Sequence, residues 1–401
     1  MPLRRTVLCI NVPRNISRFK FKMLISAIVL MFICKFARYF CESIVGDRMA
    51  PVVKHVTEPV WLGEGPHWDH EEQALYFVSI FDHTVNKYVP ETGRHTMSKF
   101  DGMPTFIIPV EGKKTNFVIG LNRQVVEIEW NGQNNAARVL RVVAEVDEDN
   151  PKNRFNDAKA DPRGRLFAGT MGYEYEPGKF HLKKGSLYRF DPDGTAHKVA
   201  TDIDISNGLC WDVQEKAFYF ADSFEYTIRR YDYDVETGDI SNPRNVFAYK
   251  DHGLSGIVDG MTIDTDGNLW VANFDGNQVL KINPRTSKLL QKIPIPALQV
   301  TSATFGGPAL DVLYVTTACM NRGREQLPPA GSTFEITALG ARGHPNTKEI
   351  PDGTSSTAGD GALAAGRGSS LGPRGASAVL RQHLRPHNQQ VRARDWQTHQ
   401  V

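Results

Sequence analysis

Two short stretches of this 401-residue chain set an oxygen-bearing side chain before a glycine and an apolar run: I-S-N-G-L-C-W-D at 205–212 and V-D-G-M-T-I-D at 258–264. They place Asn207 and Asp259 52 residues apart. A third stretch, W-L-G-E-G-P-H-W-D at 61–69, sets Glu64 before a glycine in the same way. Carboxylate and amide oxygens are hard ligands, suited to Ca²⁺, Mg²⁺ or Mn²⁺; Zn²⁺ accepts carboxylates but usually recruits nitrogen or sulfur. Asn-Gly and Asp-Gly are also common turn dipeptides. A turn does not account for Glu64. For three distant oxygens to act together, the fold must bring the starts of separate strands to one place.

The sequence contains such a device. Six short apolar runs begin at Leu75, Phe117, Leu166, Phe218, Leu269 and Leu313, spaced by 42, 49, 52, 51 and 44 residues. Each is followed by a second, often alternating run, from Thr84, Val125, Ser186, Thr227, Gln278 and Ser332. Period-2 runs of β-branched and aromatic residues signal strands, and P-E-T-G, D-P-D-G, V-E-T-G and D-T-D-G supply turns between them. No stretch of 51–340 holds a capped helical period. Six similar β units predict an all-β fold, a six-bladed β-propeller, with V-V-K-H-V at 52–56 closing the last blade. A two-sheet sandwich or a solenoid is the rival architecture.

In a propeller the innermost strands converge on a central channel. Aligning the units on Trp68, Ile108, Ala160, Trp211, Ile263 and Phe305 puts Glu64, Pro104, Asn156, Asn207, Asp259 and Thr301 four residues upstream. Five of these six are polar. The expected result is a ring of oxygens at one mouth, and a divalent cation in the channel.

At these residues the chain resembles the regucalcin (senescence marker protein), gluconolactonase and luciferin-regenerating enzyme family. The resemblance runs from about Val52 to Gly343. It is carried by W-L-G-E-G-P-H-W-D, N-R-F-N-D-A-K-A-D-P-R-G-R-L-F-A-G-T-M at 153–171, D-I-S-N-G-L-C-W-D, D-G-M-T-I-D-T-D-G-N-L-W-V-A and T-S-A-T-F-G-G at 301–307, in the family order. It implies a six-bladed propeller with one divalent cation, calcium first, with zinc, manganese or magnesium as alternatives. Glu64, Asn207 and Asp259 would be the metal ligands. Arg154, Asn156 and Glu174 would bind a small-molecule sugar lactone, and Asp259 would be the general base. The implied activity is metal-dependent sugar-lactone hydrolysis of the gluconolactonase type, a carboxylic ester hydrolysis; the alternative is a calcium-binding regulatory protein without essential catalysis. A propeller used as a protein-binding platform is a third reading. The loop expected to cover the substrate matches the family poorly, so the resemblance does not fix which lactone is used. Asp157, next to Asn156, would stand behind these residues.

Other chemistries are excluded by pattern. Residues 51–345 hold no H-E-x-x-H, G-x-S-x-G or G-x-x-x-x-G-K-[ST]; the one G-x-S-x-G match, at 368–372, falls in the Gly/Ser/Arg-rich tail. D-T-D-G-N at 264–268 looks like a calcium loop, but Leu269 stands where an EF-hand needs glycine. Five scattered cysteines form no disulfide framework or metal clip.

Charge separates the ends from the middle. Residues 1–50 carry nine Lys and Arg against two acids, and residues 351–401 six Arg against three. With a net charge of +2, residues 51–350 therefore carry −8. An acidic middle argues against nucleic acid as a partner. The expected organisation is an extension over 1–50, a propeller over 51–345 and a Gly/Ser/Arg-rich tail over 346–401, whose composition points to disorder. The twelve uncharged residues 23–34 are short for a membrane-spanning helix and fit a signal-peptide core better. Membrane association is expected only through 23–45. The resemblance implies a cytoplasmic location; the apolar segment leaves secretion or anchoring as the alternative. Asn15-Ile-Ser17, ahead of the apolar run, is the only glycosylation sequon.

Overall fold

A computed structural model describes residues 50–349. The expected N-terminal extension, its apolar segment at 23–45 and all but the first four residues of the expected tail lie outside these described residues. Within them the chain forms six four-stranded antiparallel sheets. Blade 1 runs from Gly63–Asp69 through Ala74–Ser79 and Thr84–Val89 to Arg94–Lys99. Blades 2 to 5 repeat this order, opening with Pro104–Pro109, Arg154–Ala160, Ser206–Asp212 and Ile257–Ile263. Blade 6 opens with Gln299–Gly306 and ends on Val52–His55, which pairs antiparallel with Phe334–Thr337. The first and last strands in chain order thus close the ring by backbone hydrogen bonds and leave no gap between first and last blade. The opening strands of successive blades pack against one another, and the sixth packs against the first. This is a six-bladed β-propeller, and the sandwich and solenoid readings are excluded.

The strand pattern follows from burial. Second strands such as Ala74–Ser79, Leu166–Met171 and Ala217–Asp222 are buried at every position, so both faces are apolar and they read as continuous apolar runs. Outer strands such as Arg94–Lys99 alternate because one face meets water. The core lies between blades and is rich in aromatic edges. Phe106 meets Phe155 at 5.9 Å, Phe167 meets Trp211 at 5.3 Å, and Trp270 meets Phe305 at 5.5 Å. Trp68 stacks on Tyr314 at 5.2 Å across the closing seam.

Every opening strand breaks register near its start: between Glu64 and His67, Pro104 and Ile107, Phe155 and Ala158, Asn207 and Leu209, Val258 and Met261, and Val300 and Ser302. Such bulges re-aim a side chain. Here they recur sixfold at the mouth of the channel. Asn207 and Asp259 therefore sit in strands and not in turns, and the glycines after them have a packing role. A Cβ on Gly208 would come within 2.7 Å of the Asp259 carbonyl, and one on Gly260 within 2.0 Å of Ser302 Oγ.

At the opposite end the chain crosses the ring after its last strand. The Thr265 amide donates to the Arg342 carbonyl, and Gly343 N donates to Leu310 O. Lys348 Nζ lies 3.3 Å from Asp69 and 2.8 Å from Glu71. Glu349 pairs with Val110. Residues 346–349, which the sequence assigns to the tail, lie on the propeller, held by these ion pairs and backbone bonds. The calcium-like loop at Asp264 is a turn anchor. Its carboxylate accepts from the amides of Asp266 and Asn268 and from Trp270 Nε1, and pairs with Lys281. Among the described residues no helix is long and apolar enough to cross a membrane.

Candidate active site

The channel mouth holds a cavity of about 70 Å³. Glu64, Asn156, Asn207 and Asp259 line it from four different blades, together with Arg154 and Glu174. All six residues singled out from the sequence thus share one cavity. Two positions of the expected ring do not line it. Pro104 has no polar side chain to offer, and Thr301 spends its hydroxyl inside the wall, donating to the Gly63 carbonyl at 2.5 Å. The ring of five polar residues is in fact four.

The three oxygen donors are buried, Glu64, Asn207 and Asp259 being 7%, 4% and 6% exposed. Asn207 is held by its amide nitrogen, which donates to Ser223 Oγ at 2.8 Å; Ser223 in turn donates to the Val258 carbonyl at 2.8 Å. That anchoring turns Asn207 Oδ1 away from the hydrogen bond. Asn207 Oδ1 and Asp259 Oδ1 are buried with no hydrogen-bond partner among the described residues. An unpaired buried oxygen is costly, and two facing one small cavity are the signature of a group that accepts their lone pairs.

Electrostatics point the same way. Burial, then the charge of Asp157, pushes the Glu64 carboxyl up to about 8, against the Gly65 amide and Arg154. Burial, then Glu64 and Asp157, holds Asp259 well above the usual carboxylate range. Asp157 itself is raised to about 6 by burial, opposed by Lys159 and the Ala158 amide. Two crowded carboxylates, Glu64 and Asp259, with the Asn207 amide oxygen and no Cys or His in the lining make a hard, anionic donor set, which fits a divalent cation. Among the described residues no three His, Cys, Asp or Glu gather as a metal cluster; the expected set has two carboxylates and an amide.

On the neighbouring wall Arg154 Nη1 donates to Phe155 O and Asn156 Oδ1, both at 2.8 Å, while Asn156 Nδ2 donates to the Ser206 carbonyl at 2.8 Å. Both ends of the Asn156 amide are therefore engaged, and its visible work is to aim Arg154. Burial lowers Arg154 to about 10, offset by Glu174 and Glu64, so it stays charged. Glu174 stands at the base of a small hairpin, Glu174–Glu176 with Lys179–Phe180, and accepts from the Gly178 amide at 2.7 Å.

Sequence reading missed two polar members of this site. Arg322 lines the cavity 3.9 Å from Glu174 and lies over the Phe274 ring; nothing in N-R-G-R-E-Q marks it. Ser223 follows the second strand of blade 4 and is defined only by its contact with Asn207. Ser223→Ala is expected to weaken cation affinity about tenfold with little loss of stability. Cation titration with thermal unfolding of the same variant checks this, and an unchanged affinity would remove the positioning role.

Comparison with known proteins accords with this geometry. A family model described as SMP-30/Gluconolactonase/LRE-like region matches residues 62–319. Regucalcin of Gallus gallus is 39% identical over 287 residues, 71% of this chain and 93% of that protein. Regucalcin of Homo sapiens is 38% identical over 287 residues, 70% of this chain and 92% of that protein. Among solved structures, a luciferin-regenerating enzyme superimposes with a TM-score of 0.72 at 38% identity, over 75% of this chain and all of that one. On the extent of the match and the shared fold, the chain belongs to the SMP-30/gluconolactonase/LRE-like family.

Proposed function

We propose that this protein is a cation-dependent hydrolase of sugar lactones. The observation that carries the reading is the pair of unpartnered buried oxygens, Asn207 Oδ1 and Asp259 Oδ1, opening with Glu64 into a cavity that also holds Arg154, Glu174 and Arg322. Glu64, Asn207 and Asp259 would hold the cation, calcium first. Once bound, a divalent cation supplies Lewis-acid polarisation of the lactone carbonyl and acidifies water.

The chain's own residues do the rest. Asp259 receives the proton of the attacking water at its carboxylate, beside the oxygen that would hold the cation. Arg154, fixed through Nη1 by Asn156, turns its remaining N–H groups toward the developing oxyanion. Glu174 accepts from substrate hydroxyls, and Arg322, 3.9 Å away, orients it. Collapse of the oxyanion breaks the ring C–O bond, Asp259 passes its proton to the leaving ring oxygen, and the new carboxylic acid loses its own proton to solvent, leaving a carboxylate beside two arginines.

A calcium-binding regulator would need the three oxygen donors but neither arginine. The hydrolase is favoured because Arg154 is aimed into the same cavity by a dedicated amide. The test is hydrolysis of glucono-δ-lactone, above its spontaneous rate, by protein stripped of metal and then supplied with Ca²⁺, Mg²⁺, Mn²⁺ or Zn²⁺. Stripped protein is expected to be inactive and restored by at least one cation. Arg154→Ala is expected to lose roughly 10²–10³-fold in kcat/KM while still binding cation. Tight cation binding without turnover in the wild type would favour the regulator.

A further inference from the structure

The central cavity is too small for the substrate proposed above. About 70 Å³ accommodates a cation, a carbonyl and a few waters, not a whole sugar. A second cavity of about 520 Å³ begins where the first ends, and Arg154 and Glu174 line both. It lies between blades 2 and 3, lined further by Asn122, Gln124, Lys152 and Tyr173. Its size falls in the roughly 300–1,000 Å³ range of ligand sites.

Its chemistry selects among extended substrates. Asn122 accepts from the Met103 amide through Oδ1, which leaves its amide N–H groups without a partner among the described residues. Gln124 donates Nε2 to Glu145 at 2.7 Å, which leaves Oε1 as an acceptor. Tyr173 is 42% exposed, with Lys152 Nζ 4.9 Å from its ring centroid and the His181 ring stacked at 6.4 Å. Amide donors and acceptors beside a tyrosine suit a polyhydroxylated ring, which offers hydroxyls at its edge and C–H groups on its face. Cationic Arg123 is already paired with Glu145, so the groove has no unopposed charge cluster to demand a phosphate.

We propose that this groove is a second sugar subsite, so that the preferred substrate is a disaccharide aldonolactone: the lactone carbonyl at the cation site, the rest of its ring passing Arg154 and Glu174 into the groove, and a glycosyl unit beside Tyr173 and Gln124. The proposal rests on the lactonase reading but can be tested apart from it. First, kcat/KM is compared for glucono-δ-lactone and cellobiono-δ-lactone. The disaccharide is expected to be preferred at least about tenfold, and Tyr173→Ala and Gln124→Ala to erase that preference while leaving the monosaccharide rate unchanged. Equal or better use of the monosaccharide, or variants that slow both alike, would overturn the subsite. Second, gluconate and cellobionate are titrated calorimetrically into cation-loaded protein. Cellobionate is expected to bind about tenfold tighter and to lose that advantage in Tyr173→Ala. If neither lactone is turned over but cellobionate still binds this way, the hydrolase fails and the subsite stands. If turnover is present and the two acids bind equally, the subsite fails alone.

Discussion

Asp259→Ala is expected to abolish lactone hydrolysis, a loss of at least about 10³-fold in kcat, while the metal-free variant unfolds no earlier than the wild type. Loss of activity follows from removing a cation ligand and the proton acceptor together. The stability half follows from the sign of the pKa shift. Burial first, then Glu64 and Asp157, raises the Asp259 carboxyl above its ordinary 3.8. A carboxyl whose folded value is raised costs stability as pH climbs through the unfolded value and beyond. At neutral pH the metal-free wild type bears that cost and the alanine variant does not, which offsets the small cavity left behind. Thermal unfolding with and without cation measures both halves. The wild type is expected to gain stability on adding cation and the variant to gain none. Normal turnover in a folded Asp259→Ala protein would end the proposed base assignment.

Cation affinity is expected to rise about tenfold per pH unit between pH 6 and 8 and to level off above that. Glu64 is pushed up to about 8 chiefly by burial, with Asp157 adding to it. Below that value the carboxyl is mostly protonated, and the proton must leave before the oxygen can hold a cation. Binding at pH 7 should therefore release about one proton from Glu64. The observed calorimetric heat should then differ between buffers of unlike ionisation enthalpy. Glu64→Gln is expected to lose the proton released from Glu64 and to flatten the pH slope, along with most of the affinity. An affinity flat from pH 6 to 8 in the wild type would show that Glu64 does not meet the cation.

The propeller was legible because burial writes itself into composition. Runs such as L-Y-F-V-S and F-Y-F-A-D are second strands, apolar on both faces, and their spacing gives the number of blades. The opening strands were harder to see, since R-F-N-D-A-K-A and S-N-G-L-C-W-D mix channel-facing polar residues with core residues. They were placed by alignment with the apolar runs. The Asn-Gly and Asp-Gly pairs read equally well as turns, because a glycine excluded by a neighbouring blade looks the same in sequence as one that bends the chain. Resemblance to the family supplied roles for Arg154, Asn156 and Glu174 that spacing alone did not.

By itself the sequence determined the all-β class, the six repeats, the closing strand and six residues that share one cavity. These depend on local pattern, on a repeat length and, for Arg154 and Glu174, on resemblance to the family. Only the tertiary structure decided which ring positions reach the channel. It set Thr301 aside because a neighbouring carbonyl takes its hydroxyl, and brought in Ser223 and Arg322, which carry no local mark. It also exposed the groove beyond Arg154, formed where loops of two blades meet. Hydrogen-bond partners and cavities are properties of residues far apart in the chain, and no short stretch of sequence contains them.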